Sequence, residues 1–168
     1  GNTAYERGFQ HGAALKFVIK RSLKNFENWI AENTTIKVPE EAIFDFAAGT
    51  GYVQSVKDQL PELFNEFQGI VDGAQVDFDK LFTYQSFDEF DSYLEAGNHF
   101  KTTEGNCTTT GVFGRENEAN FLTHNNDLPS YHENAVTVLK IKNLNSDLVI
   151  LQQTFAGQMG QNGVNNYG

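Results

Sequence analysis

Apolar residues in the first half of the chain recur at the spacing of an α-helix. From Glu6 to about Leu94 they follow one another at intervals of three and four residues, with charged residues between them. The clearest stripe comprises Leu15, Val18, Ile19, Leu23, Phe26, Trp29 and Ile30. The pattern predicts a long amphipathic helix near the amino terminus.

Further helices are predicted where a proline or an aspartate precedes renewed helical periodicity. Pro39 begins one helix, because Pro suits a first turn and the two Glu residues after it favour a helix amino terminus. Pro61 begins another, whose apolar residues share one face. Asp77 or Asp79 is expected to cap a last helix. That helix carries Leu81, Phe82 and Phe87.

After Leu94 the periodicity changes to that of β-strands. A polar connector covers 95–106, and four strands are predicted at 107–113, 120–125, 135–142 and 148–155. Residues 114–118 are expected to close a hairpin between the first two strands. The glycine-rich segment 156–168 is expected to lack a regular element. Helices followed by antiparallel strands indicate an α+β fold.

Composition and charge exclude several classes of function. The chain has 168 residues, enough for one domain, and a formal net charge of −10. An acidic surface repels phosphate groups, so neither nucleic acid nor a membrane is an expected partner. The 4 histidines and the single cysteine lack the spacing of metal ligands. No metal or cofactor is therefore expected, and the sequence does not indicate a compartment.

Cys107 lies where the polar connector meets the predicted strands. If the backbone were cut before it, this residue would carry a thiol and an α-amine with a pKa of about 8. The amine can then take the thiol proton, so one residue supplies both nucleophile and general base. The same thiol can attack the carbonyl of Asn106, and Gly105 permits the turn that this attack requires. By pattern alone, a buried structural cysteine is the more common case.

Several segments in chain order carry recognisable motifs, and they cover most of the sequence. They are the Glu-Arg-Gly…His-Gly pattern in 1–12, then 21–22, 67–74, the Gly-Asn-Cys-Thr-Thr of 105–109, the Asn-Asn-Asp of 125–127, and 154–165. Together they resemble the acyl-coenzyme A:6-aminopenicillanic acid acyltransferase family. This family is a cysteine branch of the N-terminal-nucleophile hydrolases, built as an α/β/β/α sandwich. Related cysteine amidases share the Cys and the downstream Asp, but a resemblance to them would not account for the motif in 1–12.

The resemblance implies a catalytic role for three matched residues. Cys107 is the implied nucleophile and the new amino terminus after self-cleavage between Asn106 and Cys107. Asp127 is implied to hydrogen-bond the freed amine, and Asn125 to orient the site. The family has Gly where this chain has Asn106, so slow cleavage is expected.

Four further residues are implied to support the site. Thr108 and Thr109 are implied to shape the first strand through backbone and hydroxyl hydrogen bonds. Glu6 and His11 are implied to secure the start of the helical layer, and a catalytic role for His11 is the less favoured interpretation.

The resemblance also implies that 1–168 form a single incomplete domain. Residues 1–106 correspond to a mainly helical propeptide or α-subunit region, and 107–168 to the start of a strand-rich β-subunit. Family members are longer, so the cleaved subunit and a missing C-terminal half are expected partners. The oxyanion-hole donor is expected beyond Gly168. Loss of such a donor costs about 3–4 kcal/mol, so weak activity is expected of this piece alone.

The activity implied is hydrolysis or transfer of the acyl group of a small amide or thioester through an acyl-enzyme at Cys107. Two alternatives stay open. One is a related cysteine amidase of the bile-salt, penicillin V or ceramide type. The other is a non-catalytic α+β binding domain in which Cys107 is buried.

Overall fold

The computed structural model of the protein describes residues 3–99, 107–115, 119–142 and 146–167. Within these residues six α-helices precede five β-strands, so the fold is α+β, as the periodicity predicted. The helices are α1 (Ala4–Asn33), α2 (Pro39–Gly49), α3 (Tyr52–Gln59), α4 (Pro61–Ala74), α5 (Phe78–Gln85) and α6 (Phe87–Ala96). The strands are β1 (Thr108–Val112), β2 (Phe121–Asn125), β3 (Val136–Lys142), β4 (Val149–Phe155) and β5 (Asn162–Asn165).

The strands form two separate antiparallel groups. β1 and β2 make a two-stranded ribbon, and β3, β4 and β5 make a sheet in that order. A 3-10 turn, Ser130–His132, lies between the two groups. The predicted pairing of the first two strands is confirmed, although 116–118 of the connecting segment lie outside the described residues.

The helix starts follow the capping signals in the sequence. Thr3 and Glu6 form a reciprocal capping box at α1, so Glu6 fixes the start of the helical layer. Pro39 and Pro61 occupy the first turns of α2 and α4, as predicted. Asp77, rather than Asp79, caps α5. Its side chain accepts a hydrogen bond from the backbone N–H of Lys80.

Three helical or strand boundaries differ from the prediction. Gly51 adopts a left-handed conformation with φ 77°, which ends the helical path after α2 and begins the unpredicted α3. Ser86 is non-helical, so Phe87 belongs to a separate helix, α6, and not to α5. The segment 156–168 does contain a strand, β5. Its sequence has little strand propensity, and pairing with the edge of β4 supplies the order.

Four glycines bring the backbones of α1 and α4 into direct contact. Gly8 and Gly12 lie on α1, and Gly69 and Gly73 lie opposite them on α4. A Cβ atom on Gly8 would lie 1.8 Å from a backbone oxygen of α4, and one on Gly69 would lie 2.1 Å from a backbone oxygen of α1. Because interaxial distance depends on the side chains at the contact, only glycine permits this approach.

An aromatic cluster connects the helices to the strand region. The ring of Phe26 in α1 meets those of Tyr84, Phe90 and Tyr131 edge-on, at centroid distances of 5.7, 5.7 and 5.0 Å. Tyr131 belongs to the 3-10 turn and is buried. Such edge-to-face pairs add about 0.5–1.5 kcal/mol each beyond the area they bury. The aromatic cluster therefore anchors the segment between β2 and β3 on the helical layer.

The segment after β4 is held on the helices by hydrogen bonds. The N–H of Gly157 donates to Nε2 of His11 at 3.1 Å, and the side chain of Gln158 donates to the carbonyl of Tyr84 at 2.7 Å. Gly157 has φ +90°, and a Cβ there would lie 2.9 Å from Leu81. Burial lowers the pKa of His11 from 6.5 to about 4, so its Nε2 is a neutral acceptor.

Replacing Gly12 by Ala should break the contact between α1 and α4. The added methyl would lie 2.2 Å from the carbonyl oxygen of Ile70, so the helices must separate. We expect a loss of about 3 kcal/mol or more in the free energy of unfolding, measured by urea denaturation. Gly49→Ala is the matched control, because nothing lies within 4 Å of its Cβ. Equal effects of the two substitutions would contradict the contact.

The contribution of two buried histidines to stability should fall as the pH drops from about 6.5 toward 4. His11 and His132 both have folded-state pKa values of about 4 against 6.5 ordinarily, because burial disfavours their charged forms. The unfolded chain therefore binds these protons first, and each histidine should cost about 1.5 kcal/mol between pH 6.5 and 5. Asp91 acts in the opposite direction, because burial raises its pKa to about 7 and the folded chain binds that proton first.

The matched variant for this pH dependence is His11→Gln. Its amide oxygen can still accept the Gly157 N–H, but it does not titrate. Urea denaturation at several pH values should show a shallower decline for the variant than for the unchanged protein. Parallel declines would show that His11 is already protonated in the folded state.

Candidate active site

Cys107 is exposed and immediately precedes β1. Thr108 pairs with Asn125 in the ribbon, so the next position outward sets Cys107 opposite Asn126. The thiol donates to Oδ1 of Asn126, with 3.8 Å between sulfur and oxygen. The binding-domain alternative assumed a buried cysteine, and that assumption is wrong. Both strands of the ribbon are exposed along their whole length, and no helix or strand among the described residues covers them.

A line of polar contacts runs along one face of the ribbon to the thiol. Oγ1 of Thr109 lies 2.6 Å from Nδ1 of His124, its cross-strand partner. Nε2 of His124 in turn contacts Oδ1 of Asn126, the oxygen that also faces the sulfur of Cys107. These four residues share one face because side chains alternate along a strand.

Sequence reasoning singled out Thr109 and Cys107 but missed His124 and Asn126. The signal was present in the strand pairing. Once 107–113 and 120–125 are paired with Thr109 opposite His124, the two additional residues fall on the same face. The sequence alone does not fix that register, because the connection between the two strands is long enough to allow several pairings.

Asn125 belongs to the opposite face of the ribbon. It pairs with Thr108, one step away from Cys107 and Asn126. The structure therefore brings Asn126 to the sulfur and sets Asn125 in the wall of a neighbouring groove. Asp127 lines the same groove.

The groove lies between the end of β2 and the β3–β4 sheet and has a volume of about 620 Å³. Its walls are formed by His124, Asn125, Asn126, Asp127, Leu128, Pro129, Ser130, His132, Glu133, Val136, Gln153 and Phe155. Small-molecule sites have volumes of roughly 300–1,000 Å³. Asn126 both lines the groove and contacts the sulfur of Cys107, so this residue connects the groove with the thiol.

The charged residues among those that line the groove are acidic. Asp127 and Glu133 contribute carboxylates, and the described lining includes neither Lys nor Arg. Leu128, Val136 and Phe155 add apolar surface. The groove therefore suits a small molecule that is partly apolar and is not an anion.

His132 forms a buried part of the groove wall. Its ring lies 4.2 Å from that of Phe155 and 4.3 Å from that of Tyr131, measured between centroids. Nδ1 lies 3.2 Å from the hydroxyl of Tyr84. Nε2 is buried and has no hydrogen-bond partner among the described residues. Burial lowers the pKa of His132 to about 4, so the ring is neutral.

The other predicted site residues lie elsewhere. Asn106 is outside the described residues. Thr108 is a ladder residue of β1, and its partner is Asn125. Glu6 and His11 act in the helical layer, through the α1 capping box and the bond to Gly157 respectively.

A search of the sequence against models of known protein families finds no match. Within the described ranges, no three His, Cys, Asp or Glu residues are grouped so that they could hold a metal ion. None of the described helices combines the length and the apolar character needed to cross a membrane.

Asn126→Asp should slow alkylation of Cys107. The new carboxylate would lie beside the sulfur and repel the thiolate, which is the form that reacts with iodoacetamide. We expect iodoacetamide to react several-fold more slowly at pH 7.5. The rate is followed by mass spectrometry of the native protein. Asn28→Asp, which adds the same charge at an exposed position of α1, should leave it unchanged. Equal rates would remove Asn126 from the environment of the thiol.

Proposed function

We propose that this protein is an autoprocessed cysteine amidohydrolase or acyltransferase with Cys107 as its nucleophile. One observation carries the proposal: the exposed thiol of Cys107 contacts Asn126, and Asn126 lines a groove together with Asn125 and Asp127. Cys107, Asn125 and Asp127 are the residues that the resemblance to N-terminal-nucleophile hydrolases assigns to catalysis. We also propose that this chain is the amino-terminal part of such an enzyme.

Activation is self-cleavage before Cys107. The sulfur attacks the carbonyl carbon of Asn106, and the bond from that carbon to the backbone nitrogen of Cys107 breaks. The nitrogen takes the thiol proton and becomes a free α-amine, while Asn106 is held as a thioester. Water then hydrolyses the thioester, which leaves a carboxylate on Asn106 and restores the thiol.

Turnover uses the new amine as the general base. It takes the thiol proton of Cys107 as the sulfur attacks the substrate carbonyl, and it returns the proton to the departing amine. Asp127 holds the amine by a hydrogen bond or ion pair. The product is an acyl thioester on Cys107, which water hydrolyses or an amine acceptor removes.

The groove favours a small acylated amide or thioester as substrate. A volume of about 620 Å³ accommodates a small acyl group with a short leaving group. Leu128, Val136 and Phe155 offer apolar surface to the acyl chain. The acidic lining opposes a leaving group that carries a carboxylate or phosphate.

We place the two strand groups in an α/β/β/α sandwich. Supporting this, the β3–β4–β5 sheet leaves Val138 67% exposed and Val164 63% exposed. Phe113 and Leu122 of the ribbon region are also exposed. Apolar surface on one face of a sheet is typical of strands that a second layer covers. Further strands of the complete protein are the proposed cover.

Intact mass spectrometry of the protein and of Cys107→Ala tests the proposal. We expect the unchanged chain to yield two fragments separated between Asn106 and Cys107, with masses that sum to the uncut mass plus water. Cys107→Ala should stay whole. A chain that stays uncut would contradict the proposal and favour a non-catalytic binding domain.

Asn106→Gly should accelerate cleavage. Glycine removes the side chain next to the attacked carbonyl and widens the range of backbone conformations open to the strained turn. A time course of fragment appearance after refolding measures the rate. Asn98→Gly serves as the control, because it also removes an Asn side chain but lies at an exposed position of the helical half, with φ 56°, which glycine adopts without strain. If cleavage is equally fast in Asn106→Gly and in the unchanged protein, Asn106 does not limit the attack.

A further inference from the structure

The buried histidine in the groove wall carries an inference that deepens the proposed function and rests on it for the substrate class. His132 is 4% exposed and lines the groove, yet its Nε2 has no partner among the described residues. A buried polar atom left unpaired costs about 1–3 kcal/mol. Groups of this kind need an explanation, and a binding site beside one supplies it.

The contact between His132 and Tyr84 bears on which nitrogen of His132 carries the proton. Tyr84 is fully buried, and its hydroxyl lies 3.2 Å from Nδ1 of His132. The donor and acceptor roles in this contact depend on the tautomer of the ring. We take Tyr84 as the donor and Nδ1 as the acceptor, so that the neutral ring carries its hydrogen on Nε2 and Nε2 is a donor.

The ring of His132 is held in place by its neighbours. Phe155 and Tyr131 lie against it at centroid distances of 4.2 and 4.3 Å, and Phe87 meets it edge-on at 5.2 Å. A donor fixed in this way loses little freedom when a ligand binds. Nε2 exposes less than 1 Å², so a ligand oxygen reaches it only after a side chain of the groove wall turns aside.

The charges around the groove select the acceptor. Asp127 and Glu133 repel a carboxylate or phosphate, and no Lys or Arg within the described lining offsets them. An uncharged carbonyl oxygen avoids this repulsion and still accepts a hydrogen bond.

We propose that Nε2 of His132 donates a hydrogen bond to an uncharged amide carbonyl of the ligand in this groove, and that Asp127 and Glu133 reject ligands with a nearby anionic group. His132 is thus a binding and specificity residue. The preferred substrates are acylated amides that are neutral or cationic beyond the acyl group.

Three amides that share the same hexanoyl group and differ in charge test the proposal. They are N-hexanoylglycinamide (neutral), N-(2-aminoethyl)hexanamide (cationic) and N-hexanoylglycine (anionic). Binding is measured calorimetrically to the Cys107→Ala variant, which cannot turn the ligands over. We expect the neutral and cationic amides to bind at least about tenfold more tightly than the anion. Glu133→Gln should narrow this gap by improving binding of the anion.

Nitrogen NMR of the histidine side chains reports on His132 directly. At pH 7 the spectrum should show a neutral ring protonated at Nε2, and N-hexanoylglycinamide should shift that resonance on saturation. A purely structural histidine would not respond. His132→Phe should weaken binding of the neutral amide about tenfold, the size of one lost hydrogen bond.

Tyr84→Phe is the second variant, for the case in which His132→Phe fails to fold. Without the tyrosine hydroxyl, the ring no longer favours a proton on Nε2, so binding of the amide should weaken while the aromatic packing persists. A ring protonated at Nδ1, an Nε2 resonance unmoved by saturating amide, or an anion bound as tightly as the amide would each overturn the proposal.

These outcomes separate the inference from the proposed function. If the chain stays uncut but the His132 resonance shifts when the amide is added, the binding site is supported and the proposed activity is contradicted. If the chain cleaves itself and turns over amides without involving His132, the activity is supported and the role of His132 is contradicted.

Discussion

The direct backbone contact between α1 and α4 is the constraint on which the rest of the structure depends. Gly8 and Gly12 face Gly69 and Gly73, and a methyl group at any of the four would collide with the opposite backbone. The contact fixes the position of α1, the longest helix. Several contacts that attach the strand region to the helices are made by α1, through Nε2 of His11 and the ring of Phe26, and α5 adds the carbonyl of Tyr84.

The strand region is attached to this helical layer at two points. The 3-10 turn inserts Tyr131 into the aromatic cluster, and the segment after β4 bonds to His11 and to the carbonyl of Tyr84. Arg21 of α1 adds a hydrogen bond to the carbonyl of Asn134 at 2.7 Å. The groove lies between these attachments and the ribbon, so its shape depends on both.

One side of the groove is tightly packed and the other is exposed. His132 lies in the packed wall, where its ring contacts neighbouring aromatic rings. The ribbon gives the other, with Cys107 and Asn126 at its open end. Under the proposed function, the firmly held wall orients the substrate and the exposed thiol of Cys107 attacks it.

The sequence by itself determined the helical first half, the strand-rich second half, and the starts at Pro39 and Pro61, because periodicity and caps are local properties. It left the cap of α5 open between Asp77 and Asp79, and the structure decided for Asp77. The sequence pattern also drew attention to Cys107, and the family resemblance to Asp127. Tertiary structure decided what local rules cannot express. Pairing to β4 created β5, the ribbon register brought Asn126 to the sulfur, and packing of three separate elements buried His132. Each of these outcomes depends on residues distant in sequence, whose proximity only the folded chain provides.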